Sequence, residues 1–293
     1  MIIKNFLWVD EKYEELFKSV SLNNFKKLYN DTSGQLVRDK PEKSIHYFRI
    51  TEAESINGFY IKKERPNFIF YLRNMVKKYF LKKKNNYGLK IRHELDLIRS
   101  YQKQGVSVVE PVAIGEQSVF GIPIRGFLVQ KEVAGDEFTG LLKKSSAKER
   151  IRLIKTYAKF LAELHSKGLI STITRVTDCI CTSSVDIPWQ NISLVVIDRE
   201  KGPLEIETFS LEKAGYALAS ILIRFFIYID APSNREIKYF LKTYIQHIDI
   251  PSKPSLKDLF LHTQCNFTKL LKKYKNQIDI SHHTSFCIYS GDR

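Results

Sequence analysis

The chain has 293 residues, 43% of them hydrophobic and 12% aromatic, and carries 47 Lys and Arg against 32 Asp and Glu, a formal net charge of +15. This much apolar material builds a large core and excludes a disordered chain, and the longest greasy stretch, Ala217 to Ile229, contains Arg224 and is too short to cross a bilayer. The positive balance favours phosphate-rich partners such as nucleotides, nucleic acid or an anionic membrane surface, without choosing among them.

The opening MIIKNFLWVDEKYEELF shows no small-residue cleavage site, so no signal peptide and a cytoplasmic chain are expected. Residues 1–34 read as a helical extension, with helix-like pieces from Asp10 to Val20 and Leu22 to Tyr29. From Gln35 the pattern changes to strands: QLVRD, SIHYFRI and GFYIKK, separated by turn-rich links, predict an antiparallel meander whose third strand ends near Lys62. Pro66 to Lys84 then places Phe68, Tyr71, Leu72, Met75, Val76, Tyr79 and Phe80 at helical spacing among Arg73, Lys77, Lys78 and Lys82 to Lys84. Two readings stand for this helix: a basic amphipathic element lying on an anionic membrane, or an ordinary helix packing its apolar stripe on the small lobe.

A second helix from Lys90 to Gln104 carries Glu94 and is closed by Gly105. VSVVEPVAIGE reads as an extended stretch and GFLVQKEV as an apolar strand, leading to the connector AGDEF. A helix from about Lys148 to Lys167 follows, and beyond Asp198 the pattern is helical over Leu211 to Tyr228, Asn234 to His247 and Leu256 to Tyr274. Strands first and helices last predict an α+β, bilobal arrangement, given a protein-kinase-like layout by the helix end LHSKGL and the strand that ends in Asp198: an extension over 1–34, an antiparallel-sheet N-lobe over 35–133 and a helical C-lobe over 134–293.

The chemistry centres on LHSKGL, which ends a helix, and SLVVID, a strand ending in Asp198 about thirty residues later. That layout is the one in which a loop supplies a catalytic base and a strand supplies a metal-binding Asp. Counted from Gly168, the base slot of a GDxxxxN or RDxxxxN loop holds Ile173, and the second metal slot, five residues on, holds Asp178. Lys62 is placed to reach nucleotide phosphates, with Glu94 the candidate to fix its rotamer; Asp198 also has the simpler reading of a strand-end turn cap. His165, at a helix end, is read as structural, bonded to the loop it precedes. The cysteines Cys179, Cys181, Cys265 and Cys287, spaced CxC and then far apart, suit buried or incidental thiols better than zinc.

In the order VRDKPEKSIHYFRI, GFYIKK, HELDLIRSYQKQGV, EPVAIGE, GFLVQKEV, LAELHSKGL, LVVIDREKG and LEKAGYALASILIRF, the chain resembles the lipopolysaccharide kinases, the Kdo kinase and core heptose kinase group. The resemblance implies ATP and Mg²⁺ as cofactors, Lys62 as the phosphate lysine, Glu94 as its partner, Asp198 as a metal ligand, and Glu132, Val133 and Gly135 at the adenine-binding hinge. It further implies a bacterial protein acting on the lipopolysaccharide inner core, or another anionic glycolipid, at the cytoplasmic face of the inner membrane. The chain departs from the family where Ser171, Thr172 and Ile173 replace the HRD-like loop, so slow transfer, or a pseudokinase that binds nucleotide, glycolipid or protein without catalysis, is expected. No nucleic-acid partner is expected: the sequence lacks a zinc finger, a helix-turn-helix and an RNP-like motif.

Overall fold

The structure is a computed structural model and describes residues 3–30, 34–52, 55–79, 88–170, 175–182, 192–198, 202, 204–230 and 232–274. The chain divides into two compact units: Met1–Lys103 with Val108–Val133, and Gln104–Ser107 with Ala134–Arg293.

The first unit is a six-stranded antiparallel sheet flanked by helices. Strand β1 (Ile3–Val9) leads through α1 (Glu11–Ser19) and α2 (Phe25–Asn30) to β2 (Gln35–Lys40), β3 (Lys43–Glu52) and β4 (Ser55–Glu64). Then come α3 (Phe68–Tyr79), α4 (Lys90–Lys103), β5 (Pro111–Val119) and β6 (Ile122–Lys131). The sheet order is β1-β5-β6-β4-β3-β2. The meander read from Gln35 onward is present as β2-β3-β4.

Period-two alternation assigns the two faces of this sheet. Phe59 and Ile61 of β4, with Phe127 and Val129 of β6, join Tyr13, Leu16, Phe17, Phe25 and Leu28 from α1 and α2 in one core cluster. Each such fully buried side chain contributes about 1.5–3 kcal/mol of hydrophobic stabilisation. Lys62 and Gln130, of opposite parity, both bond to Glu94 of α4, so α4 lies on the other face, where Leu95, Ile98 and Leu128 are buried. Residues 3–9, expected within a helical extension, instead pair with β5 as an edge strand, Ile3 opposite Val119 and Val9 opposite Ala113. Arg92 and Arg99 of α4 lie over the rings of Phe6 and Trp8 at 4.7 and 4.6 Å, which gives this half-exposed strand a packing partner invisible in its own short pattern.

The second unit begins with a small sheet in the order β7-β8-β9: β7 (Asp136–Glu137), β8 (Cys179–Thr182) and β9 (Ser193–Val196). Its helices are α5 (Phe138–Lys144), α6 (Ala147–Ser166), α7 (Leu211–Tyr228), α8 (Asn234–His247) and α9 (Leu256–Lys273). Serines start four of them, Ser146, Ser210, Ser233 and Ser255, each accepting the N–H three residues on. The starts of α6 and α8 are full capping boxes completed by Glu149 and Glu236. Helix α6 packs on α8, and α7 on α9. Among the described residues no helix is long and apolar enough to cross a membrane.

Candidate functional site

In the first unit the chemistry gathers on the α4 face of the sheet. Lys62 sits in β4 opposite Leu128 of β6, and its Nζ donates to Glu94 Oε1 at 2.5 Å. Gln130 Nε2 donates to the same oxygen at 3.0 Å. Lys62 is 5% exposed and Glu94 1%, so both charges are held away from water. Such a pair persists because each ion offsets the other's desolvation, and removing one partner strands the other. Among the described residues the second carboxylate oxygen of Glu94 is buried with no hydrogen-bond partner, and Lys62 and Gln130 hold the group through Oε1.

Glu64, two residues beyond Lys62 on the same face, accepts from the N–H of Ile91 at 3.1 Å and so fixes the first turn of α4. Burial pushes its carboxyl above the ordinary carboxylate range, against the opposing pull of that backbone bond. Lys62 and Glu94 are thus brought together as the sequence pairs them. Gln130 and Glu64 escape sequence reasoning, although a polar residue at an inward position of the apolar strand GFLVQK is a usable signal.

The connector residues have assigned partners. Glu132 donates its N–H to Gly58 C=O at 2.8 Å, and its Oε2 accepts from Tyr47 Oη at 2.8 Å. A Cβ on Gly58 would stand 1.9 Å from that carboxylate oxygen, so a side chain there would displace the Glu132 carboxylate from this position. Val133 is half-buried and Gly135 exposed. Gly135 has φ +148, and a side chain there would strike the C=O of Cys181, because β7 pairs Asp136 with Cys181 immediately beside it.

In the second unit, α6 ends in LHSKGL with a Schellman closure: Leu169 N–H reaches Leu164 C=O at 3.0 Å and Gly168 N–H reaches His165 C=O at 3.1 Å. Gly168 takes φ +75, and a Cβ would meet Ile206 at 2.2 Å where the following chain crosses it. His165 is structural, but its partner is Tyr244 of α8, Nδ1 to Oη at 2.7 Å, and not the loop that follows it. Burial drives its pKa down to about 4, opposed by the charge of Glu207. The loop slots Ser171, Thr172 and Ile173 lie outside the described residues.

Asp178 closes the 3₁₀ turn Val176–Asp178 and is buried. Its Oδ1 accepts from Thr177 Oγ1 at 2.9 Å, and its C=O accepts from Ile197 N–H at 2.9 Å. With Cys179 opposite Val196 in the β8–β9 ladder, that bond extends the pairing by one rung and brings half-buried Asp198 to the same end of the hairpin as Asp178. Two carboxylates at one hairpin end are hard oxygen donors, the ligand type that Mg²⁺ takes. Cys179 and Cys181 are buried thiols of β8, and burial pushes Cys181 up to about 12. Among the described residues no group of three or more His, Cys, Asp and Glu is placed to hold a metal ion.

No protein-family model and no curated protein matches the sequence. Solved structures do. WaaP, in complex with acyl carrier protein, aligns with TM-score 0.58 and 17% identity over 94% of this chain and 100% of that chain. A Rio2 kinase–ADP/Mg²⁺–phosphoaspartate complex from Chaetomium thermophilum aligns at TM-score 0.43 and 12% identity, over 90% of this chain and 76% of that one. The first likeness is one of fold, and it spans nearly the whole of both chains: this protein has the protein-kinase-like α+β fold of WaaP.

Proposed function

We propose that this is an ATP-dependent phosphotransferase-like protein of the lipopolysaccharide-core sugar kinase type, with transfer slow or absent. The observation that carries the reading is the buried Lys62–Glu94 pair, braced by Gln130. A sheet that only needed to fold would do as well with apolar residues there, since a buried ion pair is weak support for stability. An ammonium aimed by a carboxylate is what binding of nucleotide phosphates requires.

In this reading Lys62 contacts the phosphates, Glu94 and Gln130 hold its direction, and Glu132, Val133 and Gly135 carry the adenine contact along the connector. Asp198 and Asp178 are the residues that would hold Mg²⁺, and the ion would supply neutralisation of phosphate charge. The acceptor is a sugar hydroxyl of the lipopolysaccharide inner core or of another anionic glycolipid, at the cytoplasmic face of a bacterial inner membrane. The net charge of +15 favours such an anionic substrate.

A second reading, a pseudokinase that binds nucleotide, glycolipid or a protein partner without catalysis, is favoured by Ile173 in the base slot. An aliphatic side chain cannot take a proton from the acceptor, and loss of a general base costs ~10²–10⁴ in rate. ATP turnover of the wild type and of Ile173→Asp separates the two. Turnover in the wild type identifies an enzyme. Nucleotide binding without turnover, with turnover appearing in Ile173→Asp, identifies a pseudokinase, and neither binding nor turnover in either protein removes the nucleotide reading altogether.

A further inference from the structure

Helix α3 is amphipathic in the wrong sense for a helix packed on its own sheet. Phe68, Leu72 and Val76, at i, i+4 and i+8, form one ridge and are 73%, 43% and 40% exposed. Ile69, on the adjoining ridge with Arg73, is 74% exposed. The inward side, against β6, holds Asn74, fully buried with neither amide atom hydrogen-bonded among the described residues. An unsatisfied amide inside and large apolar side chains outside are both unfavourable in water. Of the two readings of this helix, packing of the apolar stripe on the small lobe fits less well: Tyr71 and Met75 are half-buried, and Phe68, Leu72 and Val76 are exposed.

Charge selects what covers this face. From Arg65 to His93 the sequence has no Asp or Glu, while Lys and Arg recur through Arg73, Lys77, Lys78, Lys82, Lys83 and Lys84. We infer that α3 is a membrane-contact helix, its Phe68, Ile69, Leu72 and Val76 face entering the headgroup layer of an anionic bilayer while its cations meet lipid phosphates. A convex row of protruding side chains suits a deformable bilayer, which needs no preformed groove to receive it. The ridge from Phe68 to Val76 is roughly 12 Å long, so insertion is shallow and reversible, and the electrostatic attraction sets the affinity. This deepens the membrane part of the proposed function and does not depend on nucleotide binding.

Co-sedimentation of the full chain with vesicles of phosphatidylcholine, with and without phosphatidylglycerol, tests it. The wild type is expected to bind the phosphatidylglycerol vesicles and not the neutral ones, and to release as salt shortens the Debye length. Lys77→Ala with Lys78→Ala should weaken binding by about 30-fold. Phe68→Asp with Ile69→Asp, at positions open to solvent, should abolish it with far-UV circular dichroism unchanged. Absence of wild-type binding, or binding unchanged by both pairs of substitutions, overturns the inference. So does concentration-dependent dimerisation abolished by Phe68→Asp with Ile69→Asp, which would make a second copy the occupant. The Mg-ATP response of the same variants reads separately, so failure of the nucleotide reading leaves this result standing and the reverse also holds.

Discussion

At the scale of single residues, the candidate site is a matter of what each buried charge is given to bond. Glu94 receives Lys62 and Gln130 on one oxygen. Removing Lys62 alone leaves a carboxylate sealed in the sheet face, at a cost of about 3–5 kcal/mol. A test of function therefore needs Lys62→Met combined with Glu94→Gln, which removes both charges and keeps an amide for Gln130. His165 shows the opposite case, a titratable group buried without its charge. The native state keeps it neutral down to about 4, whereas the unfolded chain takes up a proton near 6.5. The unfolded state thus binds more protons across that window, and stability present above it is lost as pH falls through it, by on the order of 3 kcal/mol. Denaturant titrations at pH 7 and pH 4.5 should show most of this loss in the wild type and little of it in His165→Gln, which retains a donor for Tyr244. Equal pH dependence in the two proteins would contradict the assignment. Lys62 with Glu94 was legible in the sequence because a lysine ending a strand and a carboxylate on a following helix stand in the order that LHSKGL and SLVVID require. Tyr244 as the partner of His165 was not, since 79 residues of chain separate them and no local pattern links them.

At the scale of elements, the helical pattern was legible in the second unit. Helices α7 and α8 run over the residues their patterns predict, and a Ser cap starts each of them. Glu236 does two things in α8. It completes the capping box with Ser233, and it takes Arg150 Nε of α6 at 2.6 Å in a largely buried pair. Glu236→Ala should cost about 2–4 kcal/mol, against about 1 kcal/mol for Ser233→Ala, measured by denaturant midpoint. Equal costs would mean that Arg150 contributes nothing to the docking of α8. What sequence reading misplaced or left open is decided by tertiary partners. Strand β1 depends on β5 and on two arginines of α4. The facing of α3 depends on which side meets β6, and the same hydrophobic spacing fits either orientation.

At the scale of the whole molecule, the succession of strands and then helices was enough to read an α+β arrangement, the motifs LHSKGL and SLVVID gave it a kinase-like layout, and the WaaP alignment supports that fold across nearly the entire chain. Function is a narrower matter, because a fold hosts many activities and the site decides among them. The proposed function names Lys62 as the phosphate contact and Asp198 as a metal ligand. Thermal melting with and without Mg-ATP tests this most directly. At a nucleotide concentration about 100 times Kd, the wild type should gain about 2.7 kcal/mol. The Lys62→Met, Glu94→Gln double variant and Asp198→Asn should each lose that gain relative to their own ligand-free melting points. A Mg-ATP response in both variants equal to that of the wild type would contradict the account.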